Sequence, residues 1–349
     1  MSAPAAGYDL APLLGVAALG LAIALAPLAW FWSRRRHAAP AARLRALALL
    51  VLFLCFDLVL LGAFTRLSDS GLGCPDWPGC YGHASPVGAS PHIAAAEAAQ
   101  PTGAVTTTKA WVEMLHRYAA TAIGVLVVVL ASLAIHASRK SGGRIGWRLA
   151  VFTLLWICLQ GAFGALSVTL RLYPAIVSLH LLGGMGLLAL LAVQAERYAP
   201  RRLALAPGLR AGLVAVAVLT VVQVALGAWV SSNYAVLACS DFPTCQGAWW
   251  PDMDAAQGFA VRRPLGVGAE GYLPFAALTA IHFAHRVGAL VLIAAIVAFA
   301  WRLIAAGGPA RPWALALLGL AAWQVASGLG NVLLGHLVDV PLDHRDLVL

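Results

Sequence analysis

Long apolar runs limit what this chain can fold into more than any other feature of its sequence. Of the 349 residues, 61% are hydrophobic and 11% are charged, whereas soluble domains average about a quarter charged residues. Runs of about 20 apolar residues can cross a hydrocarbon core about 30 Å thick. The sequence therefore predicts an all-α, polytopic membrane protein with nine spans, near residues 10–32, 44–65, 110–135, 149–170, 174–195, 210–231, 274–300, 312–334 and 336–349.

The basic residues predict how these spans are oriented in a lipid membrane. The formal net charge is +9, but no basic stripe with interleaved aromatic residues occurs, so a nucleic-acid partner is not expected. Arginine and lysine instead fill alternate short connections, and such residues mark cytoplasmic loops. The two long connections, about 66–109 and 232–273, are therefore expected on the outer side. The first apolar run is followed by its arginines, unlike a cleavable signal, and is predicted to be a retained helix with an outer N-terminus.

Each long outer connection contains a close pair of cysteines, Cys74 with Cys80 and Cys239 with Cys245. An outer, oxidising compartment permits disulfides, and both pairs are predicted to form one. A structural role, as a rigid cap over a site in the bundle, is the simpler interpretation. Redox transfer and partner docking are the alternatives.

Two similar segments follow the first helix. Gly62 and Gly227 each lie 12 residues before a cysteine pair that frames the pattern C-x-D-aromatic-P-x-C. A His-Arg pair follows in both copies, and then a glutamine and a glycine that precede a further histidine by 20 and 16 residues. Such internal similarity indicates a duplicated unit. The chain is expected to hold an extra N-terminal transmembrane helix with a cytoplasmic linker in 1–42, then two pseudo-symmetric four-helix bundles, 43–196 and 209–349.

Four histidines open membrane spans at matching positions of the two halves: His116, His180, His285 and His344. Because an ionisable residue inside a membrane span is costly, each is a functional candidate. Two imidazoles on facing helices can supply both axial ligands of a haem iron, and bundles commonly build cofactor sites this way. A local hydrogen bond or a polar cavity is the alternative use. Zinc is disfavoured because the histidines are far apart in sequence.

Glu113 is the main difference between the halves. It precedes His116 by three residues, so both project from nearly one helical face, and its counterpart in the second half is His282. A carboxyl beside just one of the two haems predicts different roles for the halves. The first half would carry out chemistry, with Glu113 accepting or relaying a proton, and the second half would pass electrons. The alternative is an interfacial ion pair of Glu113 with Lys109 or Arg117.

Arg117 and Arg286 directly follow a histidine in each half. Arginine favours bidentate contact with carboxylates, so both are candidates to contact haem propionates. The alternative is that they extend to the lipid headgroups.

These motifs resemble those of the haem A synthase family. The resemblance rests on the segment from Gly71 to Cys80, on Glu113-Met114-Leu115-His116-Arg117, on His180, on His285-Arg286 and on Ser327-Gly328-Leu329-Gly330-Asn331. It covers about residues 43–344, and the extra first helix is similar to an extension in some proteobacterial members.

The resemblance implies an oxidoreductase that converts the C8 methyl group of haem O to a formyl group, giving haem A for cytochrome oxidase. It implies that His116 and His180 ligate the substrate haem O beside a catalytic Glu113, and that His285 and His344 ligate a haem b cofactor. Expected partners are a haem O synthase and an electron donor. The expected location is the bacterial inner membrane, with the cysteine loops on the periplasmic side.

The last span departs from the family pattern. Only five residues follow His344, whereas the resemblance implies a full apolar helix, so a short last helix is expected in the second haem site. Two other functions fit the same histidines: a di-haem cytochrome b that passes electrons from quinol, and a haem carrier or transporter. The presence of Glu113 in one half only favours the haem-modifying enzyme.

Overall fold

The computed structural model describes residues 10–200, 205–262 and 273–335. Within these ranges the chain is helical, and β-structure is limited to two isolated bridges. The α-helices, in order, are α1 (Ala11–Arg35), α2 (Pro40–Leu67), α3 (Ser90–Ala99), α4 (Thr107–Lys140), α5 (Arg148–Thr169), α6 (Pro174–Tyr198), α7 (Pro207–Ser232), α8 (Ala255–Gly258), α9 (Phe275–Ala306) and α10 (Arg311–Gly335). Eight helices in the described ranges are long and apolar enough to cross a membrane. The predicted all-α, multi-pass membrane fold is confirmed.

Local signals start and end the long helices close to the predicted bounds. Proline stands in the first turn of α1, α2 and α7, where its missing N–H would have no partner in any case. The Thr106 hydroxyl caps α4 by accepting from the backbone N–H of Lys109 at 3.3 Å. Gly307, at φ 66°, ends α9. The predicted ninth span, near 336–349, and His344 within it lie outside the described residues.

The long connections contain helices that the hydropathy pattern did not predict. α3 lies in the first connection and α8 in the second. α3 is a short alanine-rich helix that buries Ile93 with Cys74, Cys80 and Met114. Its few apolar residues are too short a run to stand out in a search for membrane spans. The connection is therefore a packed cap rather than an irregular loop.

One compact unit contains α1 to α5 and α6 from Leu179 onward. Its centre is α4, the most buried of the apolar helices, against which α1, α2 and α5 pack. Small residues allow this approach, since a Cβ on Gly20 of α1 would collide with the side chain of Thr121 on α4. Lipid offers no hydrophobic drive between helices, so close packing of this kind stabilises the unit.

The second compact unit contains α7 to α10. Its centre is α9, which packs against α7, α8 and α10, with Phe299 in the space beside Gly212 of α7. α9 thus has the place in this unit that α4 has in the first, and each carries a His-Arg pair. The compact units divide within α6, after Ser178, so the predicted halves 43–196 and 209–349 stay a prediction.

Candidate functional site

In the first unit, each candidate haem ligand faces a glycine of a neighbouring helix. His116 lies on α4 opposite Gly62 of α2, where an added Cβ would come within 3.0 Å of the ring carbon Cε1. His180 lies on α6 opposite Gly164 of α5, where the same distance would be 3.4 Å. The glycines that recur in the sequence therefore make room for the imidazole rings.

The two rings of the first unit are candidate ligands. The Nδ1 atom of each is buried and has no hydrogen-bond partner among the described residues. A buried, unpaired imidazole nitrogen loses hydration without compensation. An iron that bound these rings through Nε2 would leave each Nδ1–H still in need of an acceptor.

The second unit repeats the arrangement at His285 on α9. A Cβ on Gly227 of α7 would lie 3.1 Å from His285 Cε1. Gly328 of α10, which corresponds to Gly164, has no described residue within 4 Å on the side where a Cβ would project. His344, the predicted partner of His285, lies outside the described residues.

Glu113 is tied to the first cysteine loop, Cys74–His83. Its Oε2 accepts a hydrogen bond from the backbone N–H of Cys74 at 2.8 Å, and its Oε1 accepts from Arg117 Nη2 at 2.5 Å. Both side chains are buried, with Glu113 4% and Arg117 9% exposed. The carboxyl that the sequence marked as catalytic therefore also joins α4 to the loop, one turn of helix before His116.

Arg117 holds the same loop by its backbone. Its Nη1 donates to three carbonyl oxygens in 76–79 at 2.5–3.2 Å, and its Nη2 donates to the carbonyl of Cys74 at 3.4 Å. Lys109, the other partner considered for Glu113, pairs with Asp69 at 3.2 Å instead. The ion pair of Glu113 with Arg117 is present, and the contact of Arg117 with haem propionates stays a prediction.

The second unit contains the same cap on the loop Cys239–Ala248. Arg286 donates to the carbonyl oxygens of Asp241, Thr244 and Cys239 at 2.7–2.9 Å. The backbone N–H of Cys239 donates to His282 Nδ1 at 3.2 Å. His282 thus replaces Glu113 as the acceptor for the first cysteine, and it does so without a carboxylate. A contact of Arg286 with haem propionates likewise stays a prediction.

Both predicted disulfides are formed, between Cys74 and Cys80 and between Cys239 and Cys245. Each second cysteine starts a tight turn closed by a two-residue β-bridge. In the first loop the Asp76 carboxylate accepts from the backbone N–H groups of the two turn residues, at 2.6 and 2.7 Å. The second of them is glycine at φ 73°, a conformation that glycine adopts without strain. The spacing that the two loops share therefore predicts a cap that is closed by its own disulfide and by a tight turn.

The Asp241 carboxylate in the second loop gives a pH-dependent prediction. The pKa of Asp241 lies below its ordinary value of 3.8. The main cause is the hydrogen bond from the Thr244 hydroxyl, and those from the backbone N–H groups of Gly247 and Gln246 lower the pKa further. A depressed pKa stabilises the folded loop above the ordinary value, and this contribution is lost as the pH falls through the folded pKa. Relative to Cys74–Cys80 in the same sample, which corrects for protonation of the reductant, we expect a phosphine to reduce Cys239–Cys245 faster at about pH 3 than at about pH 5. Asp241→Asn should remove the difference, and an unchanged difference would contradict this role.

The glycines opposite the histidines give a graded prediction. Gly62→Ala places a methyl group 3.0 Å from the His116 ring, whereas Gly164→Ala makes an ordinary contact at 3.4 Å with His180. Overpacking costs about 1–3 kcal/mol, so the first variant should lose that much free energy of unfolding, measured in detergent, and the second much less. Equal losses of free energy of unfolding in the two variants would show that α2 and the His116 ring move apart to make room for the methyl group at Gly62.

Sequence reasoning missed Gln223 of α7. Its Nε2 lies 3.0 Å from His285 Nδ1. A signal was present, because three of the four glycines that recur in the two halves follow a glutamine by four residues, at Gln160, Gln223 and Gln324. It also missed the role of the two arginines in holding the loops, since those contacts join residues about 40 positions apart in sequence.

Comparison with known proteins agrees with the resemblance of the motifs. The family model described as cytochrome oxidase assembly protein matches residues 45–346. A protein of Shewanella oneidensis named Heme A synthase is 36% identical over 292 residues, which cover 82% of this chain and 87% of that protein. Proteins of the same name from Symbiobacterium thermophilum and Halalkalibacterium halodurans are 34% and 30% identical, each over 82% of this chain and over 84% and 86% of their own lengths. The chain therefore belongs to the cytochrome oxidase assembly protein family.

Proposed function

We propose that this chain is a haem A synthase, a membrane enzyme that oxidises the C8 methyl group of haem O to a formyl group and so provides haem A for cytochrome oxidase. The names of its relatives support the proposal. The observation that carries it is the difference between the two caps. A buried Glu113–Arg117 pair stands one turn from His116, whereas the second unit has His282 at the same place.

The described residues of the first unit support a haem site there. His116 and His180 face glycines that leave room for the rings, and their Nδ1 atoms have no partner among the described residues. We assign them as the axial ligands of the substrate haem O. In the second half, His285 and His344 would hold haem b, which when bound supplies one-electron redox chemistry.

Glu113 would accept or relay a proton beside the substrate. Oxidation of a methyl group removes hydrogen, so a proton acceptor near the reacting carbon assists the reaction. A proton taken up at Glu113 Oε1 would weaken the contact with Arg117 Nη2, because the carboxyl would lose its charge. Since Arg117 also holds the carbonyl groups of the first cysteine loop, protonation of Glu113 would loosen the cap over the substrate site.

The charge pattern supports an assignment of sides and partners. Basic residues in the short connections favour a cytoplasmic placement of those connections, which puts the two cysteine loops on the periplasmic side of a bacterial inner membrane. A haem O synthase would deliver the substrate, and an electron donor or acceptor would exchange electrons with haem b. The disulfides would act as structural parts of the caps.

Pigment analysis tests this proposal against the two alternatives. The chain is expressed in bacterial cells that make haem O but no haem A, and the extracted haems are separated by chromatography. A haem A synthase yields haem A or its hydroxylated precursor. A di-haem cytochrome b would contain haem B alone, and a haem carrier would contain unmodified haem O. Either of these results would contradict the proposal.

A further inference from the structure

Of the four glycines that recur in the two halves, Gly62, Gly164, Gly227 and Gly328, three follow a glutamine by four residues: Gln160, Gln223 and Gln324. The fourth, on α2, has Leu58 at this position. For Gln160 and Gln223, the neighbouring helix with its candidate ligand is described. In both cases the glutamine side chain fills the space beside another glycine on that helix, three residues after the histidine. Gln160 fills the space at Gly183, and Gln223 fills the space at Gly288.

The carboxamide of Gln223 is held against the His285 ring. Its Nε2 lies 3.0 Å from His285 Nδ1, nearer than to Nε2 of the same ring at 3.5 Å, and it donates to the backbone carbonyl of His285 at 3.0 Å. Its Oε1 is buried and has no hydrogen-bond partner among the described residues. A Cβ on Gly288 would come within 2.5 Å of that oxygen, so Gly288 is what allows the amide to lie there.

Ligation of iron requires a different use of the same amide. A histidine that binds a metal through Nε2 keeps its proton on Nδ1, and that N–H needs an acceptor. A half-turn about the terminal bond of Gln223 exchanges the amide nitrogen and oxygen. It brings the unpaired Oε1 to the position from which it accepts from Nδ1–H. The amide can therefore pair with the His285 ring in both the free and the ligated state, although in the ligated state it gives up its donation to the backbone carbonyl of His285.

The first unit lacks this contact at both of its histidines. Leu58 has no polar atom to offer, and the Nδ1 atoms of His116 and His180 are buried without a partner among the described residues. Gln160 lies against Gly183, and its Oε1 is also unpaired. The difference separates the half that would keep its haem from the half that must release it.

We propose that Gln223 is a positioning residue that orients the His285 ring and accepts from its Nδ1–H in the ligated state, so that the second half retains its haem. The absence of such an amide at His116 leaves the first site able to exchange its haem after each reaction. The inference rests on the proposed function, in which the second half holds a resident haem b and the first half takes a substrate haem.

Gln223→Leu tests the inference directly, because it places in the second half the residue that the first half has. The variant is purified with its haem, and two properties are measured: the rate of haem b transfer to apomyoglobin and the midpoint potential of haem b. Loss of an outer-shell partner lowers metal affinity about 10- to 100-fold, so we expect faster loss by that factor. The potential should rise, because the imidazole becomes a weaker donor.

Two further variants keep the test decisive. Gln160→Leu removes a glutamine of the same repeat that does not pair with its histidine at Nδ1, and it should leave haem b retention and potential unchanged. Gln223→Glu restores an acceptor for Nδ1–H, so it should retain haem b and shift the potential below that of the unmodified protein. The opposite sign of the two shifts at one position is not expected of a residue that only fills space.

Two results would overturn the inference. The first concerns Gln223 alone, and the second also contradicts the ligand assignment of the proposed function. If Gln223→Leu keeps the haem b retention and potential of the unmodified protein while His285→Ala loses haem b, then His285 is the ligand and Gln223 does not position it. If His285→Ala keeps haem b, then the ligand assignment itself is wrong.

Discussion

Glu113→Gln is expected to lower haem A formation about 10²- to 10⁴-fold, the range of a lost general base or acid. Glutamine has nearly the shape of glutamate, and its oxygen can still accept from the N–H of Cys74, which the carboxylate does at 2.8 Å. What it loses is the charge, the ability to take up a proton and the second acceptor oxygen, which accepts from Arg117 Nη2 in the unmodified protein. The measurement is the ratio of haem A to haem O extracted from cells with equal amounts of each variant.

Glu97→Gln is the matched control for this substitution. Glu97 lies on α3 and accepts from the backbone N–H and the hydroxyl of Thr107 at 3.0 and 2.8 Å. These two contacts hold the pKa of Glu97 below its ordinary value, but its carboxylate belongs to the surface of the cap. Haem A formation should be unchanged in the control. An undiminished ratio in Glu113→Gln would mean that the carboxyl serves only to hold the first cysteine loop.

Arg117→Ala is expected to lower the free energy of unfolding by about 3–5 kcal/mol, the cost of leaving a buried charge without its partner. The substitution strands the Glu113 carboxylate, which is 4% exposed, and frees several carbonyl groups of the first cysteine loop. Denaturant unfolding in micelles measures the loss. Reduction of Cys74–Cys80 should also become faster, because the loop is no longer tied to α4.

Arg286→Ala is the matched comparison in the second unit. Arg286 makes similar contacts with backbone carbonyls at 2.7–2.9 Å, but the residue beside it is His282 rather than a carboxylate. No buried anion is stranded, so the loss of stability should be clearly smaller than for Arg117→Ala. Equal losses would show that the carbonyl contacts, and not the Glu113–Arg117 pair, account for the stability of the first cap.

Hydropathy and spacing predicted the fold well because lipid imposes simple rules. A span must be apolar and about 20 residues long, and its backbone must satisfy its own hydrogen bonds, so α4 and α9 are visible in the sequence as long, mainly apolar runs. The cysteine pairs were visible because the six-residue step between them repeats. The helix α3 was not visible, since its stability comes from the burial of Ile93 against the disulfide and α4.

The candidate site was only partly predictable for a different reason. The histidines and Glu113 are rare polar residues inside apolar runs, and the repeat singled them out. Arg117 was assigned to haem propionates or lipid headgroups from its position in the sequence. Its contacts with the carbonyl groups of 76–79 depend on how the loop folds back over α4. Contacts of side chains with distant backbone carry no pattern in composition or spacing.

The haem content of His116→Ala tests the division of labour between the halves most directly. The variant is expressed in cells that make haem O, purified, and compared with the unmodified protein by haem chromatography and by its reduced-minus-oxidised spectrum. We expect no haem A and an unchanged haem b spectrum, because the substrate site is lost and the second site is intact. Haem A at the level of the unmodified protein, or loss of the haem b spectrum, would contradict this division of labour.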